Sequence, residues 1–360
     1  MKPLSAWYYI KSNKSRSIII IFMMFITTFM YIGGNYISSL YWFYEKSDEY
    51  GDKIILTECI PTDTDAADYN SFVKDIKNDD KLITLGRNGL GYGTGGLVIH
   101  DTLGFETGAQ SYVFNSKEDL QTAFDHLGID YDCSGLSDYS AVISKKFADN
   151  LKLKVGDIIC DETFTLEGLI DDDSYIFFFI VNSPEDKLYR TMILSNEMSG
   201  AELRSYIENI RGDRKVNIAR KFTDEVYKEM SIAWIMFFIA LIIVSVILAV
   251  TLNSVVTGQY IKRNPEFAIY RALGLRKKQI RRKIASELLL MDLIAVAAGL
   301  FVNLALEYLL NELVYIPVGK YLPYFSWIGV AGILIANVLT VIPLILLKGR
   351  RMCKMDVTEF

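Results

Sequence analysis

The stretch YIKRNPEFAIYRALG, residues 260–274, joins two long apolar segments and sets the organisation of this chain. Asn264 is a favourable N-cap, Pro265 suits the first helical position, and Gly274 is a helix stop signal. The stretch therefore predicts a nine-residue helix over residues 265–273. Because so short a helix is unstable alone in water, another surface must pack against it.

The apolar residues of this short helix predict one packed face. Phe267, Tyr270 and Leu273 fall near helical spacing, so we expect them to lie on the same side. Two interpretations stay open from the residues alone. The helix is either a linker that lies on lipid headgroups or a coupling helix that docks on a partner protein.

Four segments are long and apolar enough to cross a bilayer, which takes roughly 20 residues. The chain has 360 residues, of which 51% are hydrophobic, a high share for a soluble protein. We predict membrane-spanning helices over residues 17–39, 231–258, 286–310 and 323–347. The first segment has a signal peptide as its alternative. Its long apolar core and the poor cleavage site after it favour a retained anchor, although Gly33-Gly34 keeps the alternative open.

Basic residues near the segment ends predict the orientation of the chain. Residues 1–16, which we interpret as an amphipathic helix on the inner leaflet, carry four basic and no acidic side chains. The loop 259–284 and the tail 348–360 are also basic. We therefore expect a multi-pass protein of the cell (plasma or inner) membrane with both termini in the cytoplasm. By contrast, residues 45–229 hold 36 acidic and 20 basic side chains, which favours the external side.

The segment 45–228 is large enough for a core of its own and mixes strand-like and helix-like patterns. Ser116 and Ser144 are candidate N-caps of helices over 117–127 and 145–151. The apolar run 175–181 is too short to span a bilayer, so it predicts a buried strand. Another strand is expected from Thr163 to a stop at Gly168. Together these elements predict an external α+β domain between the first and second membrane helices.

Motifs for catalysis, nucleotide binding and metal binding are absent from the sequence. It has no Walker A motif, and the glycine-rich run 86–96 lacks the lysine that a phosphate loop needs. His100 and His126 are too isolated in sequence to indicate a metal site. We therefore expect a non-catalytic chain without a cofactor of its own. Nucleic-acid binding is not favoured, because topology explains the basic loop.

Two acidic residues of the third membrane segment are candidates for polar contacts. Glu287 is expected to pair with Arg282, Lys283 or the 260–274 stretch. Asp292 is costly in lipid, and a polar contact to a neighbouring helix or headgroup is favoured over a role in transport. The external cysteines, Cys59, Cys133 and Cys160, are odd in number, and their spacing leaves the disulfide pairing open.

Two stretches carry a resemblance to a known family. The segment RNPEFAIYRALGLRKKQIRRKIASELLL, residues 263–290, resembles the R-x-x-E-x-A-x-x-R-A-x-G pattern of FtsX/MacB-type ABC transporter permeases. Residues 141–172, with Val155-Gly156-Asp157 and Leu166-Glu167-Gly168-Leu169, are similar to the periplasmic core domain of MacB-type permeases. The resemblance implies four membrane helices with a MacB-like domain after the first.

The resemblance also implies partners and a site. A separate ABC ATPase, which holds ATP and Mg²⁺, is expected on the cytoplasmic side. A second permease subunit is also expected, in a homodimer or a heterodimer. The residues that match the coupling region, or flank those that match, are Pro265, Glu266, Phe267, Tyr270, Arg271, Ala272 and Gly274.

Three functions stay open from the sequence. The first is export or extraction of a peptide, antibiotic or lipid-linked substrate. The second is an FtsX-like mechanotransmitter that activates an external cell-wall hydrolase without transport. The third is a membrane-anchored sensor or adhesion protein without an ATPase.

Overall fold

The computed structural model divides into two compact units. The membrane unit comprises Met1–Ser39, Ser231–Leu310 and Leu322–Phe360, and the α/β unit comprises Leu40–Met230 and Asn311–Tyr321. The structure describes residues 6–59, 63–86, 97–108, 110–160, 163–181, 189–218 and 222–354.

The helices begin and end as follows in chain order. They are α1 (Ala6–Ser12), α2 (Lys14–Ile26), α3 (Met30–Ser47), α4 (Asp63–Lys77), α5 (Lys117–Leu127), α6 (Lys145–Leu151), α7 (Gly200–Arg211), α8 (Phe222–Ile261), α9 (Asn264–Ala272), α10 (Lys277–Leu310) and α11 (Trp327–Lys354). A 3-10 turn, Thr27–Phe29, joins α2 to α3, and a π-helical turn, Asn311–Tyr315, follows α10.

Four helical stretches are long and apolar enough to cross a membrane. They are Lys14–Ser47, Met230–Ile261, Lys277–Val318 and Trp327–Arg350. Between the first and the second lies a mixed region of sheets and helices. The predicted fold class, a four-helix membrane protein with an inserted α+β region, is therefore confirmed.

The strands of the α/β unit form two main sheets and a short hairpin. They are β1 (Ile55–Cys59), β2 (Leu82–Gly86), β3 (Val98–His100), β4 (Glu106–Gly108), β5 (Gln110–Phe114), β6 (Ser140–Ser144), β7 (Ile158–Ile159), β8 (Phe164–Ile170), β9 (Ile176–Ile180), β10 (Tyr189–Ser195) and β11 (Asn217–Ile218). One sheet is antiparallel, in the order β11-β1-β10-β2, and the other is mixed, in the order β5-β9-β6-β8-β7.

Several local predictions for the α/β unit are confirmed by capping and burial. Ser116 accepts a hydrogen bond from the backbone N–H of Asp119, and α5 ends at Gly128 in the left-handed region. Ser144 caps α6 through the N–H of Phe147. The apolar strand β9 is buried at every position, because it lies inside the mixed sheet.

One strand prediction is wrong and one motif is outside the described residues. Strand β8 does not stop at Gly168 but runs on to Ile170. Ala141 of β6 pairs with Leu166 and Val142 pairs with Gly168, so the parallel register skips Glu167 of β8 and the ladder continues past the glycine. Apart from Gly86, which ends β2, the glycine-rich run lies outside the described part of the chain.

The helices of the membrane unit approach closely where small residues meet. A Cβ atom on Gly34 would lie 2.6 Å from the Cα of Gly329, so α3 and α11 are nearly in backbone contact. A Cβ on Gly299 of α10 would overlap the Thr28 side chain. Small residues at such crossings are typical of membrane helix packing, where van der Waals contact drives association.

Candidate functional site

The helix predicted between the second and third membrane segments is α9, which starts one residue earlier than expected. Arg263 stands at the N-cap position without a side-chain capping bond, and Asn264 is already helical. The prediction that Asn264 caps the helix is therefore wrong. The N–H of Arg263 bonds to the Tyr260 carbonyl at 3.0 Å, so the chain turns directly out of α8 and leaves no extended residue for a cap.

The C-terminal end of α9 follows the expected signal. Gly274 adopts φ +86°, in the left-handed region that a residue with a Cβ rarely enters. The N–H of Leu275 then bonds to the Tyr270 carbonyl at 3.1 Å, and the N–H of Gly274 bonds to the Arg271 carbonyl at 2.9 Å. These bonds satisfy carbonyls that the helix end would leave free.

The side chain of Arg263 joins α9 to α10 through two carboxylates. Its terminal nitrogens lie 2.7 and 3.2 Å from the oxygens of Glu287, and its Nε lies 2.8 Å from Glu266. Arg263 is 5% exposed and Glu287 is fully buried. A planar guanidinium that binds two carboxylates in this way fixes both helices in one arrangement.

A second cation balances the charge of this buried cluster. Lys283 Nζ lies 3.2 Å from Glu287 and 3.9 Å from Glu266. The Tyr270 hydroxyl donates to Glu266 at 3.0 Å, and the Tyr260 hydroxyl donates to Glu287 at 3.3 Å. We call Arg263, Glu266, Lys283 and Glu287 the ion cluster. Its two positive and two negative groups sum to zero, which makes the burial of Arg263, Lys283 and Glu287 tolerable.

Aromatic rings cover the guanidinium of the ion cluster. The Tyr9 ring of α1 lies 3.9 Å from the Arg263 guanidinium carbon, and the Phe267 ring lies 5.0 Å from it. Tyr260 and Phe267 stack with a centroid distance of 5.9 Å. Such cation–π contacts are strongest where the cation is desolvated, as it is here. The N-terminal helix is therefore part of the site.

The electrostatic environment holds Arg263 and Glu266 of the ion cluster in their charged forms. Burial alone would lower the pKa of Arg263, but the bonds to Glu266 and Glu287 raise it above its ordinary value. Burial would raise the pKa of Glu266, yet the hydrogen bond and charge of Arg263 bring it below its ordinary value. Burial and the charge of Glu266 raise the pKa of Tyr270 to about 12, so its hydroxyl stays a donor.

The opposite face of α9 is apolar and exposed. Ile269 is 58% exposed and Leu273 is 73% exposed, and Pro265 and Ala272 are exposed beside them. The prediction that Leu273 shares one face with Phe267 and Tyr270 is wrong. The helix ends at Ala272, and Leu273 turns away from the cluster.

The structure divides the seven predicted site residues by orientation. Glu266, Phe267 and Tyr270 face the ion cluster, Pro265 and Ala272 face outward, Arg271 is partly buried, and Gly274 ends the helix. Arg263, Lys283 and Tyr9 were not among the seven residues predicted for this site. The expected pairing of Glu287 is found with Lys283 and with the 260–274 stretch, through Arg263. The expected polar contact of Asp292 is not made by its Oδ1, which is buried without a hydrogen-bond partner.

Residues 234–357 match the model of the FtsX-like permease C-terminal family. The chain carries an FtsX-like permease domain. This permease domain contains α9 and all four residues of the ion cluster, while Tyr9 reaches it from the N-terminal helix. A search of curated proteins finds no match to the chain. Domains of this family are, in general, non-catalytic transport components that work with an ABC ATPase, and the match supports a membrane permease of an ABC-type system.

Proposed function

We propose that this permease passes the motion of a separate cytoplasmic ATPase to its α/β unit, which lies on the external side of the membrane. The ATPase docks on α9 from the cytoplasm. ATP binding and hydrolysis there shift the membrane helices, and the α/β unit changes conformation in response. Export or extraction of a peptide, antibiotic or lipid-linked substrate is the use of this motion that we favour.

The observation that carries the proposal is the two-sided character of α9. Its inner face is held by the ion cluster, which ties it to α10 and to Tyr9 of α1. Ile269 on its outer face and Leu273 directly after its last residue are apolar and exposed. A short helix that is rigidly anchored on one side can be displaced by a partner that docks on its apolar side, and it stays folded. The linker interpretation explains the outer face but gives no reason for the anchoring.

A second permease subunit is expected to complete the assembly. Among the described residues of α8, Ile235, Ile239 and Ile242 are each more than half exposed. This face meets either lipid or another permease helix. We propose that part of it contacts the second subunit, which is a second copy or a related chain.

Substitution of the outer face of α9 tests the proposed docking. The double variant Ile269→Asp, Leu273→Asp is expected to insert and fold normally, because both side chains are already exposed. It should lose the co-purifying ATPase, with affinity down at least about 10-fold, since contacts at the centre of an interface are each worth more than about 1 kcal/mol. The measurement is the amount of ATPase recovered with the full chain in mild detergent.

A matched control makes the same change elsewhere. Ile158 of β7 is 64% exposed, so Ile158→Asp has a similar polarity change and should leave ATPase recovery unchanged. Full ATPase recovery with the α9 double variant would contradict the docking proposal. A cell-wall hydrolase in the wild-type complex would favour the mechanical function over export. Signalling partners without an ATPase would favour the sensor interpretation.

A further inference from the structure

One side of α10 is buried at every fourth residue from end to end. The buried positions include Glu287, Met291, Ala295, Gly299, Asn303 and Glu307. Asn303 bonds to the Thr28 carbonyl at 3.1 Å, so this side packs against the first membrane segment. The two glutamates stand 20 residues apart, about 30 Å along a helix. Both glutamate side chains are buried, but they differ in the charged groups beside them.

Glu307 lacks the counter-ions that neutralise Glu287. Glu287 has Arg263 at 2.7 Å and Lys283 at 3.2 Å. Glu307 is 2% exposed, and within the described part of the chain neither of its carboxyl oxygens has a hydrogen-bond partner. An unpaired carboxylate within a membrane helix is expensive, because neither water nor a cation solvates it.

Two amides close to Glu307 add further unpaired acceptors. Asn303 is one helical turn before it, and the Asn35 amide of α3 lies beside it. The Asn35 amide nitrogen donates to the Pro323 carbonyl at 3.0 Å, and the Asn303 amide nitrogen donates to Thr28 and to the Gly299 carbonyl at 2.8 Å. These bonds fix both amide orientations and leave both Oδ1 atoms buried without a partner.

The missing component of this group is a hydrogen-bond donor. Four buried oxygens, two from Glu307 and one each from Asn35 and Asn303, are acceptors without a donor. Buried acceptors are paired in nearly all native structures. One proton on the carboxyl group turns an acceptor into a donor and removes the uncompensated charge at the same time.

We propose that Glu307 is a proton-binding site of the membrane unit, formed with Asn35 and Asn303. The neutral acid donates its O–H to one of the two amide oxygens, and the bond to Asn35 of α3 holds α10 against the first membrane segment. When the proton leaves to water, the carboxylate charge loosens this contact. Proton release therefore changes the packing of the helices that carry the permease motion.

The groups around Glu307 leave it as the titrating member. From α3, Tyr31 is the titratable residue that interacts with it, and its hydroxyl already accepts from the Ser326 N–H at 2.9 Å. Asn35 and Asn303 do not titrate. The Pro323 carbonyl, from the segment before α11, is bonded to Asn35. No described lysine or arginine forms an ion pair with this carboxyl group.

Infrared difference spectra of the full chain in lipid nanodiscs test the proposal. Spectra between acidic and alkaline buffer should show a protonated-carboxyl carbonyl band that disappears in Glu307→Gln. The band should persist in Glu312→Gln, which removes an exposed carboxyl group just after α10, and in Asp292→Asn, which removes another carboxyl group within it. Thermal melting adds a second readout. The wild-type melting temperature should fall as the pH rises through this titration, while Glu307→Gln should show no such step.

Three results would overturn the proposal. The carbonyl band would remain in Glu307→Gln if another group carried the proton. Glu307→Gln would melt well below the wild type at every pH if the charged carboxylate were needed. Replacement of choline by sodium at constant pH would raise the melting temperature of the wild type, but not of Glu307→Gln, if the site bound a metal cation instead.

Discussion

The guanidinium of Arg263 donates hydrogen bonds from both terminal nitrogens to the carboxylate of Glu287, at 2.7 and 3.2 Å. The two residues are 24 positions apart in sequence and belong to different elements, the start of α9 and the body of α10. Their side chains are 4% and 0% exposed, so water screens little of the attraction. This pair fixes where α9 lies against the membrane helices.

Neutralising Glu287 should destabilise the permease strongly. Glu287→Gln leaves Arg263 and Lys283 buried with one carboxylate between them, and an uncompensated buried charge costs about 3–5 kcal/mol. The melting temperature of the full chain in detergent measures this loss. Glu197→Gln is the matched control, because its pair with Lys81 at 3.9 Å is exposed on both sides and should contribute at most about 1 kcal/mol. Equal melting of the two variants would show that the ion cluster does not hold the helices.

Glu266 should make the permease sensitive to acid. Although burial opposes it, the Arg263 bond holds the folded-state pKa of Glu266 below its ordinary value. A carboxylate with a depressed pKa stabilises the fold fully at neutral pH, and this contribution is lost as the pH falls through the folded-state pKa. Glu266→Gln should therefore melt below the wild type at neutral pH, and the gap should close in acid. A gap that stays constant with pH would contradict this, and exposed Glu202→Gln should show no gap.

The sequence predicted the four membrane helices and the Ser116 and Ser144 caps well, because their signals are local. Length and apolarity define a span, and a serine three residues before an unpaired N–H defines a cap. The ion cluster was predicted only in part. Nothing local in the sequence selects Arg263 over its neighbouring basic residues as the partner of Glu287, since that choice depends on how α9 packs on α10.

Two misses in the membrane unit have identifiable physical reasons. Leu273 was placed on the packed face by its spacing, but α9 ends before it and the spacing rule no longer applies. Glu307 was not singled out, because the mean hydropathy of its segment stays high when a single acidic residue lies near the end. The pattern Ala295-x3-Gly299-x3-Asn303-x3-Glu307 was a usable signal, since small and polar residues at intervals of four mark a helix–helix face.

A methyl group on Gly319 should disturb the loop between the third and fourth membrane helices. Gly319 adopts φ +61°, its carbonyl accepts from the Tyr175 hydroxyl at 2.5 Å, and a Cβ there would lie 2.6 Å from the Asn150 nitrogen. Gly104 also has positive φ but has open space around its Cβ position. Gly104→Ala should thus cost only the left-handed strain of about 1–2 kcal/mol, and Gly319→Ala should cost clearly more in thermal melting. Equal costs would show that the loop contact is loose.

The thiol of Cys133 should be inert in the folded protein. Burial, with the charges of Asp132 and Asp125, raises its pKa to about 12, so almost no thiolate exists at neutral pH. Cys59 and Cys160 are buried as well. In a Cys353→Ser variant, maleimide should label Cys59, Cys133 and Cys160 after denaturation. In the folded protein it should label few of these thiols. An intact mass two hydrogens lower than that of the reduced chain would reveal a disulfide and contradict the structure.

The crossing of α10 and the first membrane segment should tolerate no extra methyl group at Gly299. A Cβ there overlaps the Thr28 side chain, so Gly299→Ala must push the helices apart and weaken the Asn303–Thr28 bond. The same change in α8 supplies the control, because a Cβ on Gly258 meets no other atom within 4 Å. Gly258→Ala should stabilise by up to about 1 kcal/mol through helix propensity, whereas Gly299→Ala should lower the melting temperature. If both variants gained stability, the two segments would not be in contact at Gly299.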